Sequence, residues 1–175
     1  GLLGLHPWMG RKIDVLVLNH GAYNRVAADQ LTIEILRETM AVNFEGSVAV
    51  WKAIQPHLSD KARMVVVGSQ LGTRGSPHGA DYSASKAALA VWARSLAQQV
   101  GPEGKRVNIL APGYVDTAIL AGDSEKKREQ RENEVPLKRV GTPEDMASTI
   151  SFLVSDDSAY ITGSIIHVNG GLYLP

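Results

Sequence analysis

Cysteine is absent from these 175 residues, which excludes disulfide staples and thiolate metal sites and suits a reducing compartment such as the cytoplasm. An excess of one charge is absent too: 18 basic residues balance 18 acidic ones. Binding a polyanion or an anionic membrane surface calls for surplus lysine and arginine, so nucleic acid and membrane are not expected partners. Long hydrophobic runs are missing; the longest are strand-sized, too short to cross a bilayer. The opening GLLGLHPWMGRK has neither the early basic region nor the apolar stretch of a signal peptide. It begins with glycine rather than methionine, as a processed or partial chain would. The five histidines are scattered without metal-ligand spacing, so no metal is expected. The length suffices for one domain with a core of its own.

What is present alternates strand and helix. IDVLVL (13–18) is a continuous apolar run, the pattern of a parallel strand covered on both faces. The stretch from Leu31 to Leu58 reads as mostly helical, with Thr32 as cap and Pro56 near its stop. ARMVVVGS is a second buried strand ending at Gly68, and GTRGSPHG a loop by its glycine and proline content. A helix is expected from Asp81 to Val100, then a strand at KRVNILAPG. A charge-dense segment with a short helix follows, 116–137. A helix opens at Thr142-Pro143 with Asp145 three residues after the cap, and SIIHVNGG is a last strand. This order predicts a three-layer α/β domain around a parallel sheet with right-handed crossovers. There is no internal repeat and no linker.

In a parallel sheet, reactive groups gather at the carboxyl ends of strands. Here those ends carry Asn19-His20-Gly21, Ser69 and Pro112-Gly113. The stretch ADYSASKAAL puts Tyr82 and Lys86 at i and i+4, one above the other at the start of a helix. An ammonium beside a phenol favours phenolate and lowers the tyrosine pKa, so Tyr82 is expected to exchange protons with a carbonyl or alcohol oxygen. Ser69 is placed to hydrogen-bond the same oxygen. Taken alone, a Tyr-x-x-x-Lys pair is more often a solvated helix face, and a serine after a strand a turn residue. The conjunction gives the pattern its weight.

VVVGS with Ser69, YSASK with Tyr82 and Lys86, APGYVDT (111–117), NF with Asn43, and the tail SAYITGSIIHVNGGLYL resemble the short-chain dehydrogenase/reductase family. The similarity is greatest to its 3-oxoacyl-(acyl carrier protein) reductase-like members. It runs from about Ile13 to Leu174 and implies the C-terminal part of a doubly wound, Rossmann-like fold, with residues 1–175 as one partial domain. By resemblance, Tyr82 is the general acid/base and Lys86 tunes it and binds the nicotinamide ribose. Ser69 polarises the substrate carbonyl, and Asn43 holds a water linking Lys86 to solvent. Asn19 and Gly21 line the cofactor cleft. Pro112 and Gly113 turn the next loop toward it, and Val115 and Thr117 contact the carboxamide and phosphate. The reaction implied is hydride transfer between NAD or NADP and a carbonyl or secondary alcohol.

The chain departs from the family in two places. Leu18 and His20 stand where the family has asparagine and alanine. His20 reads as a titratable cofactor neighbour or, by preference, as a structural histidine satisfied by backbone. The family's glycine-rich pyrophosphate turn, T-G-x-x-x-G-x-G, is missing, and the residue that chooses NAD or NADP would lie near it. GSQLGTRG (68–75) imitates that turn, but SPHG follows where a helix should open, and Ser69 serves better as a catalytic residue. Without the family's first strand, the edge of IDVLVL is expected to lie open. An alternative reading is therefore a non-catalytic interaction module. The small-residue face Ala84, Ala87, Ala88 and Val91 would then support helix–helix contact, and a homo-oligomer is expected on either reading. The segment 118–137 would be a lid. Leu71, His78, Tyr114 and Ile119 are candidate substrate-pocket residues for a small carbonyl or alcohol.

Overall fold

In the computed structural model, residues 10–118 and 120–175 are described. Four parallel strands lie in the order β1-β2-β3-β4: β1 Ile13–Leu18, β2 Leu58–Val67, β3 Arg106–Pro112 and β4 Ile165–Val168. Period-two alternation sends neighbouring side chains to opposite faces. Met64, Val66, Val107 and Ile109 face one side, while Val65 and Leu110 face the other.

The first face is covered by α4, Ala80–Val100, through Leu89, Ala93, Leu96, Ala97 and Val100. The small-residue stripe of α4 is therefore not what packs on the sheet: Ala84 is exposed, and Val91 is 60% exposed. Beside α4 lie α1, Ile33–Met40, and α2, Gly46–Ile54, joined by a turn of π-helix at Ala41–Glu45. Phe44 and Trp51 from this pair complete that core. The expected cap forms, with the Thr32 hydroxyl accepting from Ile35 N–H. The second face is covered by α6, Pro143–Val154, through Met146, Ile150, Leu153 and Val154. Its Thr142–Asp145 capping box is complete in both directions.

Two expectations from the sequence are corrected. The loop after β2 contains a one-turn helix, α3, Leu71–Arg74. It forms because the Ser69 hydroxyl accepts from Leu71 N–H, and because Gly72 lets it press against α4, where a Cβ would come within 2.9 Å of Lys86 backbone carbon. The strand β1 is also not buried on both faces. Leu16 and Leu18 join the α4-side core, but Val15 is 44% and Val17 38% exposed, because α6 packs on β2, β3 and β4. Among the described residues it is the edge strand of the sheet, in line with the open flank expected from the sequence. The charged segment contains α5, Glu125–Glu134, capped by Ser124. No helix among the described residues is long and apolar enough to cross a membrane, and no group of three or more potential metal-ligating side chains occurs among them.

Candidate active site

The sheet delivers its reactive groups to one end. Ser69 leaves β2, and Tyr82 and Lys86 project from the first turns of α4 beside it. The Ser69 hydroxyl meets the Tyr82 phenol and favours its ionised form. Lys86 is 3% exposed, and its ammonium donates to the carbonyl of Val67, the last residue of β2, at 2.9 Å. The Lys86 Nζ lies 5.7 Å from the centroid of the Tyr82 ring. Among the described residues, Val67 takes one of the three N–H donors that an ammonium carries.

Burial sets the electrostatics. It lowers the Lys86 pKa from 10.5 to about 8, because the ammonium has exchanged water for protein. It raises the Tyr82 pKa; the Ser69 hydrogen bond opposes this and the neighbouring Tyr23 adds to it. The sequence led us to expect the reverse for Tyr82, a phenol pulled down by its lysine. The difference arises from burial: the phenol has exchanged water for protein, and that outweighs the Ser69 hydrogen bond. Tyr82 thus keeps its proton at neutral pH, and Lys86, also protonated there, gives its own up at a lower pH than a solvated lysine would.

Asn43 sits in the π-turn and is fully buried. Its Oδ1 accepts from Ala22 N–H at 2.7 Å, and its Nδ2 donates to Ala22 O at 3.0 Å and to the Ser85 hydroxyl at 2.9 Å. Ser85 in turn donates to the Tyr82 carbonyl. The side chain therefore clamps the loop after β1 to the start of α4. Gly21 lies in that loop, and a Cβ there would fall 3.1 Å from Lys86 Nζ and 3.4 Å from Asn43 Oδ1. Glycine allows this close approach of the loop to Lys86. Asn19 is exposed at the end of β1.

The third strand end is built from backbone. Gly113 N–H donates to Val168 O, and Val115 bridges Gly141. A Cβ on Gly113 would meet Asn169 Cα at 2.8 Å, so only glycine allows Pro112-Gly113 to turn here. Thr117 is exposed and its hydroxyl donates to Val115 O. Of the candidate pocket residues, Leu71 is half-buried on α3. His78 is exposed, with its carbonyl accepting from the Tyr23 hydroxyl. Tyr114 is tied to α5, donating to Glu134 with the Arg131 guanidinium 4.5 Å over its ring. Ile119 lies outside the described residues.

Sequence reasoning missed two members. Tyr23 packs its ring 4.7 Å from that of Tyr82, and no spacing rule relates residues that far apart. Gln70, 2% exposed, meets Asn169 and so ties the Ser69 turn to the C-terminal tail. His20 is also corrected: it is exposed, and its Nε2 meets the Ser47 hydroxyl at 3.2 Å instead of a backbone group.

Known proteins share this fold. The profile of a family described as enoyl-(acyl carrier protein) reductase matches residues 7–173. The chain is 33% identical over 165 residues to 3-oxoacyl-(acyl-carrier-protein) reductase FabG of Escherichia coli K12, covering 93% of this chain and 68% of that protein. It is 34% identical over 165 residues to the protein of the same name from Rickettsia felis, with the same coverage. A crystal structure of a short-chain dehydrogenase/reductase, titled glucose/ribitol dehydrogenase, from Brucella melitensis superposes with a TM-score of 0.89 at 30% identity. It covers 94% of this chain and 66% of that one. The chain thus spans about two thirds of the length of the relatives it matches. With its parallel Rossmann-like sheet and these matches, the chain belongs to the short-chain dehydrogenase/reductase family of oxidoreductases.

Proposed function

We propose that the chain supplies the catalytic half of a nicotinamide-dependent reductase that interconverts a carbonyl and a secondary alcohol, with Tyr82 as general acid/base. The observation that carries this reading is the convergence of a protonated, buried phenol, the Ser69 hydroxyl and a desolvated lysine at the end of β2. Tyr82 donates its proton to the substrate oxygen in reduction and takes it back in oxidation. Ser69 holds that oxygen with a second hydrogen bond. Lys86 restores the Tyr82 proton and Asn43 fixes the loop around it.

The residues fit the ribose end of a nicotinamide dinucleotide. Lys86 has N–H donors left after Val67, and the absence of a side chain at Gly21 lets the loop after β1 come close to the ammonium. When bound, the dinucleotide supplies the hydride. Asn19, Gly21, Pro112, Gly113, Val115 and Thr117 would line its site, and either NAD or NADP is consistent with them. The names of the relatives make a 3-oxoacyl thioester the first substrate to test. Leu71, His78, Tyr114 and Ile119 are the pocket residues on this reading. Exposed Ile33, Val42, Val50 and Val91 on α1, the π-turn, α2 and α4 favour a homo-oligomer, and a cytoplasmic setting suits the lack of cysteine.

The uncovered face of β1 favours a second reading, an interaction module without turnover. The two separate in one experiment. The chain is titrated with NADPH and NADH by nicotinamide fluorescence, then assayed with acetoacetyl-coenzyme A alongside Tyr82→Phe. The reductase reading expects dinucleotide binding and a loss of about 100-fold or more in turnover by the variant, which still binds. Near-normal turnover by Tyr82→Phe would sink the assignment, and a folded chain that binds neither dinucleotide would leave the module.

A further inference from the structure

The loops after β1 and β3 flank the Ser69 turn, because β2 lies between those two strands. The segment 120–134 is tied to both flanks. On the β3 side, Tyr114 donates to Glu134 at 3.0 Å and Arg128 pairs with Asp116 at 2.6 Å. On the β1 side, Arg25 pairs with Asp123 at 3.4 Å. Strands two places apart are roughly 10 Å apart, so a segment fastened to both spans the end of β2. Asp123 is the hub of the β1-side tie. Its side chain is 7% exposed, and Nε and Nη2 of Arg131, on α5 itself, reach it at 2.5 and 3.4 Å. The Arg131 hydrogen bond holds this carboxyl below the usual carboxylate range, with both arginine charges adding, so it is ionised at neutral pH. The Arg25 side chain is 44% exposed, so its half of the hub is the one that water and salt can loosen.

Arg25 stands on a fixed post. Ala22 N–H is held by Asn43, the Tyr23 hydroxyl donates to His78 O at 2.8 Å, and Ala28 N–H donates to Pro77 O. The φ of Arg25, +54°, lies in the left-handed region, which a residue with a side chain seldom adopts and which recurs where a chain is clamped at a functional site. Its guanidinium lies 5.9 Å from the centroid of the Tyr23 ring, and that ring lies 4.7 Å from the ring of Tyr82. Tyr23 fits there because Gly79, at the start of α4, has no side chain; a Cβ would collide with its ring. Asp123, Arg25, Tyr23 and Tyr82 are therefore in sequence, each against the next.

We propose that Arg25 is a positioning residue: its ion pair with Asp123 closes the segment 120–134 across the end of β2, and its contact with Tyr23 passes that closure to the Tyr82 ring. The proposal rests on the reductase reading for its effect on turnover. While the pair is made, the guanidinium is drawn over Tyr23, and Tyr23 holds the Tyr82 phenol toward Ser69. When the pair parts, the segment keeps its ties to Tyr114 and Asp116 and swings on them, and Tyr23 loses the cation above its ring. Both charges persist across neutral pH, so the device answers to ionic strength rather than to protons.

The test has two arms. In the first, hydrogen exchange of the 124–134 backbone amides is followed by mass spectrometry at fixed pH without dinucleotide, in low salt and in about 0.5 M sodium chloride. Wild type should exchange about threefold faster in high salt, the worth of a half-exposed ion pair. Arg25→Met should exchange at the faster rate in both, and Arg25→Lys should keep the salt response. Adding Arg25→Met to Asp123→Asn should change nothing further. In the second arm, kcat is measured with ethyl acetoacetate, an uncharged 3-oxo ester that brings no salt dependence of its own. Wild-type kcat should fall about threefold in high salt, and Arg25→Met should sit at that lower level in both. Tyr23→Leu should lower kcat about tenfold while the exchange keeps its salt response, and Tyr23→Phe, which retains the ring, should lose less. Exchange in Arg25→Met equal to that of wild type at low salt overturns the proposal, as does an Arg25→Met kcat that keeps the wild-type level and salt response. Absence of turnover in wild type with dinucleotide bound overturns the reductase reading separately, since the exchange arm needs no turnover.

Discussion

Replacing Lys86 by methionine should make the protein more stable at neutral pH while destroying its activity. Lys86 is 3% exposed, and burial alone brings its pKa from 10.5 to about 8. At about 1.4 kcal/mol per pKa unit, holding the ammonium inside costs on the order of 3 kcal/mol. The sign follows from proton counts. Below pH 8 both folded and unfolded chains carry the proton, and the folded state bears the full penalty. Between pH 8 and 10.5 the folded chain has released the proton and the unfolded chain has not, so stability rises with pH across that window. Methionine has a stem of similar length and no charge. It removes the penalty but strands the Val67 carbonyl, at about 1 kcal/mol. Lys86→Met should therefore be more stable than wild type by about 2 kcal/mol at pH 7 and less stable by about 1 kcal/mol at pH 10.5. Urea unfolding followed by circular dichroism at pH 7, 8.5 and 10 measures the difference. A variant that is less stable than wild type at pH 7, by an amount constant with pH, would refute the claim that desolvation governs Lys86. The expected result would mark a site where stability has been given up for chemistry.

Gly72→Ala puts a Cβ 2.9 Å from Lys86 backbone carbon and 3.0 Å from Ala87 N, so α3 must move off α4. A loss of about 2 kcal/mol is expected, read as a lower urea midpoint at unchanged slope. Asn43→Leu keeps the volume but leaves Ala22 N–H, Ala22 O and the Ser85 hydroxyl without their partner, and should cost about 3 kcal/mol by calorimetry. Thr142→Ala removes the capping box of α6, an element that carries none of Ser69, Tyr82 and Lys86. It should lower stability by about 1 kcal/mol without altering Tyr82-dependent turnover, checked by melting temperature and assay together.

The parts of the site legible in the sequence were those fixed by local geometry. Tyr82 and Lys86 share a helix face because they are four residues apart, and Thr142-Pro143 with Asp145 announces the start of α6 by chemistry confined to one turn. The parts that escaped depend on which strand lies beside which. Nothing in the spacing of Tyr23 and Tyr82 says that the loop after β1 will lay one ring on the other. Nor does it say that the Lys86 ammonium will meet the end of β2, or that the fold will bury the phenol and so reverse the expected direction of its pKa. His20 is a similar case: its partner Ser47 is a helix residue that only tertiary packing brings within reach.

The strand β1 shows what such a misreading can mean. A strand's sequence answers to the neighbours of both its faces, and IDVLVL is apolar on both. Leu16 and Leu18 find cover under α4, whereas Val15 and Val17 remain 44% and 38% exposed. Covering what remains of these two side chains would contribute on the order of 2 kcal/mol, and among the described residues no strand pairs with the outer flank of β1. The site does not draw on that face. Ser69, Tyr82, Lys86 and Asn43 are held by β2, α4 and the π-turn, on the side of the sheet where β1 is packed. The candidate site and the exposed valines thus lie on opposite faces of β1, which is why Ser69, Tyr82, Lys86 and Asn43 can be brought together while Val15 and Val17 beside them stay exposed.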